Sequence, residues 1–177
     1  MHRFWAFCLL SVLAIVSTSN RAAWADGRLT PPEEVEVDPL ASAEHNSLGL
    51  EAVGAGRFGD ALREFTAAIK FDPENGTAWN NRAFFRASCA EARYRDGAKA
   101  VADATRACEL QQWTDSSALD TLAAAHAEKG NFDEAQKWQA KAIKLAAGAA
   151  ESRGMKSRLE LYKAGKPYHD APKKAED

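Results

Sequence analysis

NSLGLEAVGAGRFGDALREFTAAIKFDP, residues Asn46 to Pro73, decides the fold, because its small and large apolar residues return downstream at nearly fixed distances. Leu48 and Gly49 are followed by Ala52, then by Gly56-Arg57-Phe58, then by Ala61, Phe65, Ala68 and Pro73. This spacing predicts a helix, a glycine turn and a second helix, each with its apolar residues on one stripe. Gly49, Ala52, Ala61 and Ala68 stand where two antiparallel helices must approach closely. Phe65 is the knob that fills the space between them.

The same residues recur. In AWNNRAFFR, Trp79 falls 34 residues after His45, and Ala83 falls 34 after Gly49. In AKAVADATRACEL, Ala100, Ala104, Ala107 and Leu110 each fall 39 after Ala61, Phe65, Ala68 and Phe71, so the second turn is about five residues longer. In LDTLAAAHAEKGNFDEAQKWQAKAIKL, Ala135, Ala142 and Leu145 each lie 35 beyond Ala100, Ala107 and Leu110. Helices are expected at about 41–54, 58–71, 76–90, 97–111, 116–129 and 132–146. Gly56 and Gly130 are expected to end the first helices of their copies. Asn131 with Glu134 has the spacing of a capping box, and Asp115 or Ser116 can cap upstream.

A helix-turn-helix unit of this period resembles the tetratricopeptide repeat, which stacks into a solenoid. The resemblance covers residues 41–147 and is looser in the second copy, where Arg86 stands at the usual aromatic site and Gln112 replaces the closing proline. More narrowly, RDGAKAVADATRACEL, the third copy and RLELYKAGKPY resemble a module of small exported bacterial repeat proteins of undefined function. The fold implied is all-α: a right-handed α-solenoid of three repeats, at about 42–75, 76–115 and 116–147. A helix at 148–165 carries Met155, Leu159 and Tyr162 on one face and would cap the open end; residues 166–177 are expected to be a flexible tail. From Arg153 to Lys166 this segment has five basic residues and one Glu, which reads as a solvated charged face.

At the other end, MHRFWAFCLLSVLAIV has a basic start at Arg3 and an apolar run from Phe4 to Val16, shorter than the about 20 residues that span a bilayer. With Ala23-Trp24-Ala25 following, residues 1–25 read as a signal peptide cleaved after Ala25, which predicts a periplasmic or secreted chain without stable membrane insertion. Retention of the run as an anchor is the alternative. Residues 26–40, DGRLTPPEEVEVDPL, hold three prolines and five acidic residues against one Arg and are expected to be an extended acidic linker. Without the signal, 21 Lys and Arg face 25 Asp and Glu, a mild balance that argues against a nucleic-acid partner.

Cleavage would leave Cys89 and Cys108. They should lie roughly 15 Å apart along antiparallel helices at 1.5 Å per residue, beyond the reach of a disulfide. Two free thiols are expected, Cys108 buried and Cys89 near a loop; a bridge allowed by the longer loop is the alternative.

No His-Glu-x-x-His, Cys-x-x-Cys, glycine-rich phosphate loop or Gly-x-Ser-x-Gly occurs. Asp103, Glu109, Asp120, Asp133 and Glu134 are scattered around repeat turns, and His126 reads as a packed core histidine. No enzyme activity, metal or cofactor is therefore expected.

What remains is a surface. In repeats of this kind the first helix of each pair lines a concave groove, so the resemblance implies a groove presenting Asn46, Leu50, Asn80, Asn81, Phe84, Asp120, Thr121 and Ala124 to a protein or peptide. Asparagine both donates and accepts, so it can hold a peptide backbone without reading side chains, and Phe84 offers an apolar anchor. The basic set with which some such repeats clamp a terminal carboxylate is missing: Asn81 fits, but Leu50, Ser117 and Thr121 replace other members. The longer loop, SCAEARYRDG, adds Arg93, Tyr94 and Arg95 as loop contacts, the alternative being that Tyr94 packs on its own hairpin. The function expected is a non-catalytic interaction module. The alternatives are a self-associating structural envelope protein, hence a homo-oligomer, or an accessory subunit of an envelope enzyme.

Overall fold

The computed structural model describes residues 37–171, so the signal, the linker up to residue 36 and the last six residues of the tail lie outside the described residues. Seven α-helices follow one another among the described residues: α1 (Pro39–Gly54), α2 (Phe58–Phe71), α3 (Gly76–Ser88), α4 (Gly97–Leu110), α5 (Ser116–Glu128), α6 (Phe132–Leu145) and α7 (Ala149–Lys163), with a 3-10 turn at Ala92–Tyr94. The pairs α1–α2, α3–α4 and α5–α6 pack as hairpins, α7 packs on α6, and α1, α3 and α5 touch in order to form the inner layer. The architecture is an all-α helical-repeat solenoid.

Short polar side chains set the helix starts. Asp38, Asn75, Asp96 and Asp115 each accept a hydrogen bond from the backbone N–H three residues on, at 2.7–3.0 Å, satisfying donors that have no partner within the helix. Asp38 also donates its own N–H to the Phe71 carbonyl at 2.9 Å. The end of the expected linker is thus helical: Pro39 and Leu40 form the first turn of α1, where proline costs no hydrogen bond. The expected capping box does not form. Asn131 makes no side-chain cap, and Glu134 instead accepts from Lys137 Nζ at 3.0 Å, an ion pair one helical turn away.

Gly56 and Gly130 take left-handed φ angles of 72° and 85° and close the first and third hairpins. Where the second copy lacks its proline, Gln112 and Trp113 take φ of 53° and 59°, and the Trp113 N–H donates to the Cys108 carbonyl at 2.8 Å. Trp113 then stacks on Trp138 of α6, ring centroids 5.3 Å apart. A turn that local propensity disfavours is held by packing between repeats.

The core is mostly alanine, and that permits close helix approach: Ala52, Ala61, Ala68, Ala83, Ala100, Ala104, Ala107, Ala123, Ala135 and Ala142 are all buried. Phe65, Leu119 and Leu122 fill the gaps, and Met155 and Tyr162 of α7 complete the core at the last repeat, as a cap requires. Buried ion pairs run through it. Asp103 of α4 receives Arg82 Nε and Nη2 at 2.9 Å each, together with Arg86 Nη1, so the arginine at the atypical aromatic site of the second copy takes part in a buried network. Of the basic residues expected on the outer face of α7, Arg158 instead points inward to Asp120.

Cys89 and Cys108 are both free and buried. Cys89, expected near a loop, caps α3 beside one but is enclosed with Phe65 and Phe85. Burial raises both thiols, Cys108 to about 12. The attacking species is the thiolate, so Cys108 of the folded chain is expected to resist iodoacetamide at pH 8 and to react once the chain is unfolded. Equal labelling rates in the two states, read by mass spectrometry, would contradict this burial.

Candidate functional site

The inner layer, together with Phe58 and Phe65 of α2 and residues 170–171, lines a partly open cavity of about 520 Å³. Leu50, Asn80, Asn81, Phe84, Asp120 and Thr121 all line it, so six of the residues expected at the groove meet at one place. They meet there because α1, α3 and α5 lie side by side and each contributes the same inward register. Asn46 stands just outside the lining, its Oδ1 accepting from Asn81 Nδ2 at 2.9 Å, which links the first two inner helices. Ala124 is buried in the core of the third repeat. Val53, Phe58, Phe65 and Phe85 add a strongly apolar stretch of wall. Asn80 and Asn81 also border a polar recess of about 770 Å³, lined by Thr77, Gln111, Thr114 and Ser117. The groove is therefore apolar on one side of the asparagine pair and hydrogen-bonding on the other.

These side chains differ in what they can offer. Asn80 Oδ1 is buried without a hydrogen-bond partner, leaving an acceptor to be satisfied. Phe84 is half-buried and lines the cavity. Asp120 and Thr121 are buried, and Asp120 is already engaged: Arg158 donates to both its oxygens at 3.0 and 2.6 Å, and Gln139 Nε2 to Oδ1 at 2.6 Å. Asp120 therefore braces α5 against α6 and α7 more than it presents a charge to the groove. Among the described residues, neither cavity is lined by a Lys or Arg.

Most of the loop expected to contact partners faces inward. Tyr94 packs on Phe58 and Phe85 at centroid distances of 6.0 Å, so it belongs to the first repeat's core. Arg95 donates from Nη1 to the Cys89 carbonyl at 2.7 Å and from Nε to Glu128 at 3.1 Å, stitching the loop to the end of α5. Of the three expected contacts only Arg93 is exposed, lying over the Tyr94 ring and paired with Glu91. Extra length lets this loop close the gap between two repeats, which occupies the side chains that looked free.

The expected flexible tail is a correction of another kind. After α7, Gly165 turns the chain with φ 66°, and residues 166–171 run back across the inner layer. Tyr168 lies against Phe84, centroids 6.3 Å apart, with the Arg158 guanidinium 5.5 Å from the centre of its ring. Burial and the neighbouring Asp170 carboxylate raise its phenol. His169 Nε2 meets Glu128 Oε2 at 2.6 Å. The Asp170 N–H donates to the Ser88 carbonyl at 2.8 Å, and the Ser88 hydroxyl, shared with the Phe84 carbonyl, lies 2.9 Å from Asp170 Oδ2. Sequence reasoning missed Ser88, Tyr168 and Asp170. The aromatic directly after Gly165-Lys166-Pro167 is the signal that could have found them, since a helix stop followed by a large ring marks a segment with somewhere to pack.

His126 is half-buried with Nδ1 enclosed and unpartnered, and burial lowers its pKa, which fits a packed histidine. Among the described residues, no group of three or more His, Cys, Asp or Glu is placed to hold a metal ion, and no helix is long and apolar enough to cross a membrane.

No model of a known protein family matches the chain. Solved structures do. The first repeat domain of Spaghetti (RPAP3), bound to the HSP90 peptide SRMEEVD, is 21% identical with a TM-score of 0.59, over 74% of this chain and 99% of that one. The Arabidopsis OM64 domain is 23% identical at TM-score 0.57, over 68% of this chain and 95% of that one. The Sgt2 domain from Aspergillus fumigatus is 22% identical at TM-score 0.56, over 82% and 97%. At such identities the likeness concerns the backbone alone, and it agrees with the helix order and inner layer described above: the fold is that of the tetratricopeptide-repeat domains.

Proposed function

We propose that the chain is a non-catalytic interaction module that holds an extended peptide segment of a partner protein across α1, α3 and α5. One observation carries this reading: Leu50, Asn80, Asn81 and Phe84, from two different repeats, share one apolar cavity, and the same two asparagines border a polar recess. Affinity then comes from a few buried anchors rather than from total area. The Spaghetti domain holds an acidic peptide, whereas the two cavities here have no cation among their lining residues, so this groove suits a neutral or basic segment with an apolar anchor.

The signal-peptide reading adds an exported setting, so the bait begins at Asp26 and the extract comes from the cell envelope. Wild-type chain is expected to retain a partner that the Asn80→Ala/Asn81→Ala/Phe84→Ala variant loses at unchanged helicity. Recovery of the same proteins by both refutes the groove. Recovery of the chain alone favours self-association.

A further inference from the structure

Resting on that reading, we infer that the segment Tyr168–Ala171 is a built-in occupant of the groove and displays the chemistry of the partner: an extended peptide with an aromatic residue, an aspartate two positions later, and then a large apolar residue. Four contacts define the first two positions. The ring lies near both Phe84 and the Arg158 guanidinium, the main-chain N–H after the intervening residue donates to the Ser88 carbonyl, and the carboxylate meets the Ser88 hydroxyl. Arg158 comes from the helix just before the segment, but Phe84 and Ser88 belong to the second repeat, and Ser88 and Asp170 are 82 residues apart. The groove therefore selects this segment by its chemistry, as it would a separate chain.

The third position follows from what the segment leaves open. Asp170 and Ala171 themselves line the 520 Å³ cavity, whose far wall is Leu50, Val53, Phe58 and Phe65. Its volume lies in the range of about 300–1,000 Å³ typical of ligand sites. Ala171 brings only a methyl group to it, and the next residues, Pro172-Lys173-Lys174-Ala175-Glu176-Asp177, include no Leu, Ile, Val, Met or aromatic side chain. A partner with a large apolar residue after the aspartate buries surface there that the resident segment does not. That differential lets it displace an occupant favoured by being tethered.

Two labelled peptides test this against the full chain: GKPYHDA, copying residues 165–171, and GKPYHDLL, with apolar residues at and after the Ala171 position. They are titrated by fluorescence anisotropy into wild type and into the Tyr168→Ala/Asp170→Ala variant, whose folding is checked by helicity and by Cys108 protection. The variant is expected to bind GKPYHDA, and to bind GKPYHDLL about tenfold more tightly, as burial of the added methylenes allows. Wild type is expected to bind each at least about tenfold more weakly than the variant, because its own segment competes at an effective concentration near millimolar. A folded variant that binds GKPYHDA no better than a scrambled peptide, or that does not distinguish the two peptides, overturns the inference. If a partner still depends on Asn80, Asn81 and Phe84 while the groove ignores both peptides, the groove reading stands and this inference alone fails. If both peptides bind as expected while partner capture is indifferent to the triple variant, this inference stands and the captured partner uses another surface.

Discussion

Replacing Asp103 with Ala is expected to lower the unfolding free energy by about 3–5 kcal/mol, the cost of removing one partner from a buried charge network. Asp103 is only 4% exposed and lies between Arg82 and Arg86, one turn apart on α3. Without the carboxylate, two guanidinium groups face each other in a poorly hydrated interface. Arg82 then keeps only a 3.4 Å contact to Thr66 and its stack on Trp79. Urea unfolding followed by circular dichroism measures the loss. A change below about 1 kcal/mol would mean that the site behaves as a surface pair. Replacing all three residues with well-packed apolar ones is expected to recover most of the loss, because the cost lies in leaving charges unpaired.

The Phe65→Ala variant is expected to lose about 3–5 kcal/mol as well, by a mechanism that a second substitution exposes. Phe65 of α2 is buried with Phe85 of α3 at 6.2 Å, and its ring abuts Gly49 of α1: a Cβ there would come within 2.5 Å of it. Gly49→Ala alone is expected to cost about 1–3 kcal/mol by overpacking. In the Phe65→Ala background the ring is gone, so the added methyl occupies vacated space and its penalty disappears. A double-mutant cycle should thus show coupling well above the about 0.5 kcal/mol that separates independent sites. Simple additivity would show that the α1–α2 crossing relaxes around the methyl.

That pair illustrates what could be read from the chain unaided. Gly49, Ala52, Ala61, Phe65 and Ala68 recur by period, and a periodic requirement for close approach leaves a periodic trace; every expected helix lies within two residues of an observed one. Six groove residues came together for the same reason, since position in the repeat determines which face a side chain joins. Interactions unique to one place left no such trace. Asp103 and Asp120 looked scattered because their partners, Arg82, Arg86, Arg158 and Gln139, lie on other helices. Arg95 looked available because nothing in the loop's own composition shows that Glu128 waits beside it, while Tyr94 follows the alternative of packing on its own hairpin, through Phe85, and reaches Phe58 as well. The residues after α7 looked solvated because their apolar content is low, and what holds them is one ring and a few hydrogen bonds to distant backbone.

The returning segment also alters how the stack comes apart. A solenoid in which each unit touches only its neighbours frays from its ends, one unit at a time, because no bond joins distant units. Here Asp170, beyond the last helix, is fastened to Ser88 at the end of the second unit's inner helix. The last hairpin and its cap therefore lie inside a closed loop and cannot peel away until that fastening opens. A chain built from nearest-neighbour parts thus gains a long-range link of the kind that makes unfolding concerted, and anything that lifts the segment from the groove also loosens the final repeat.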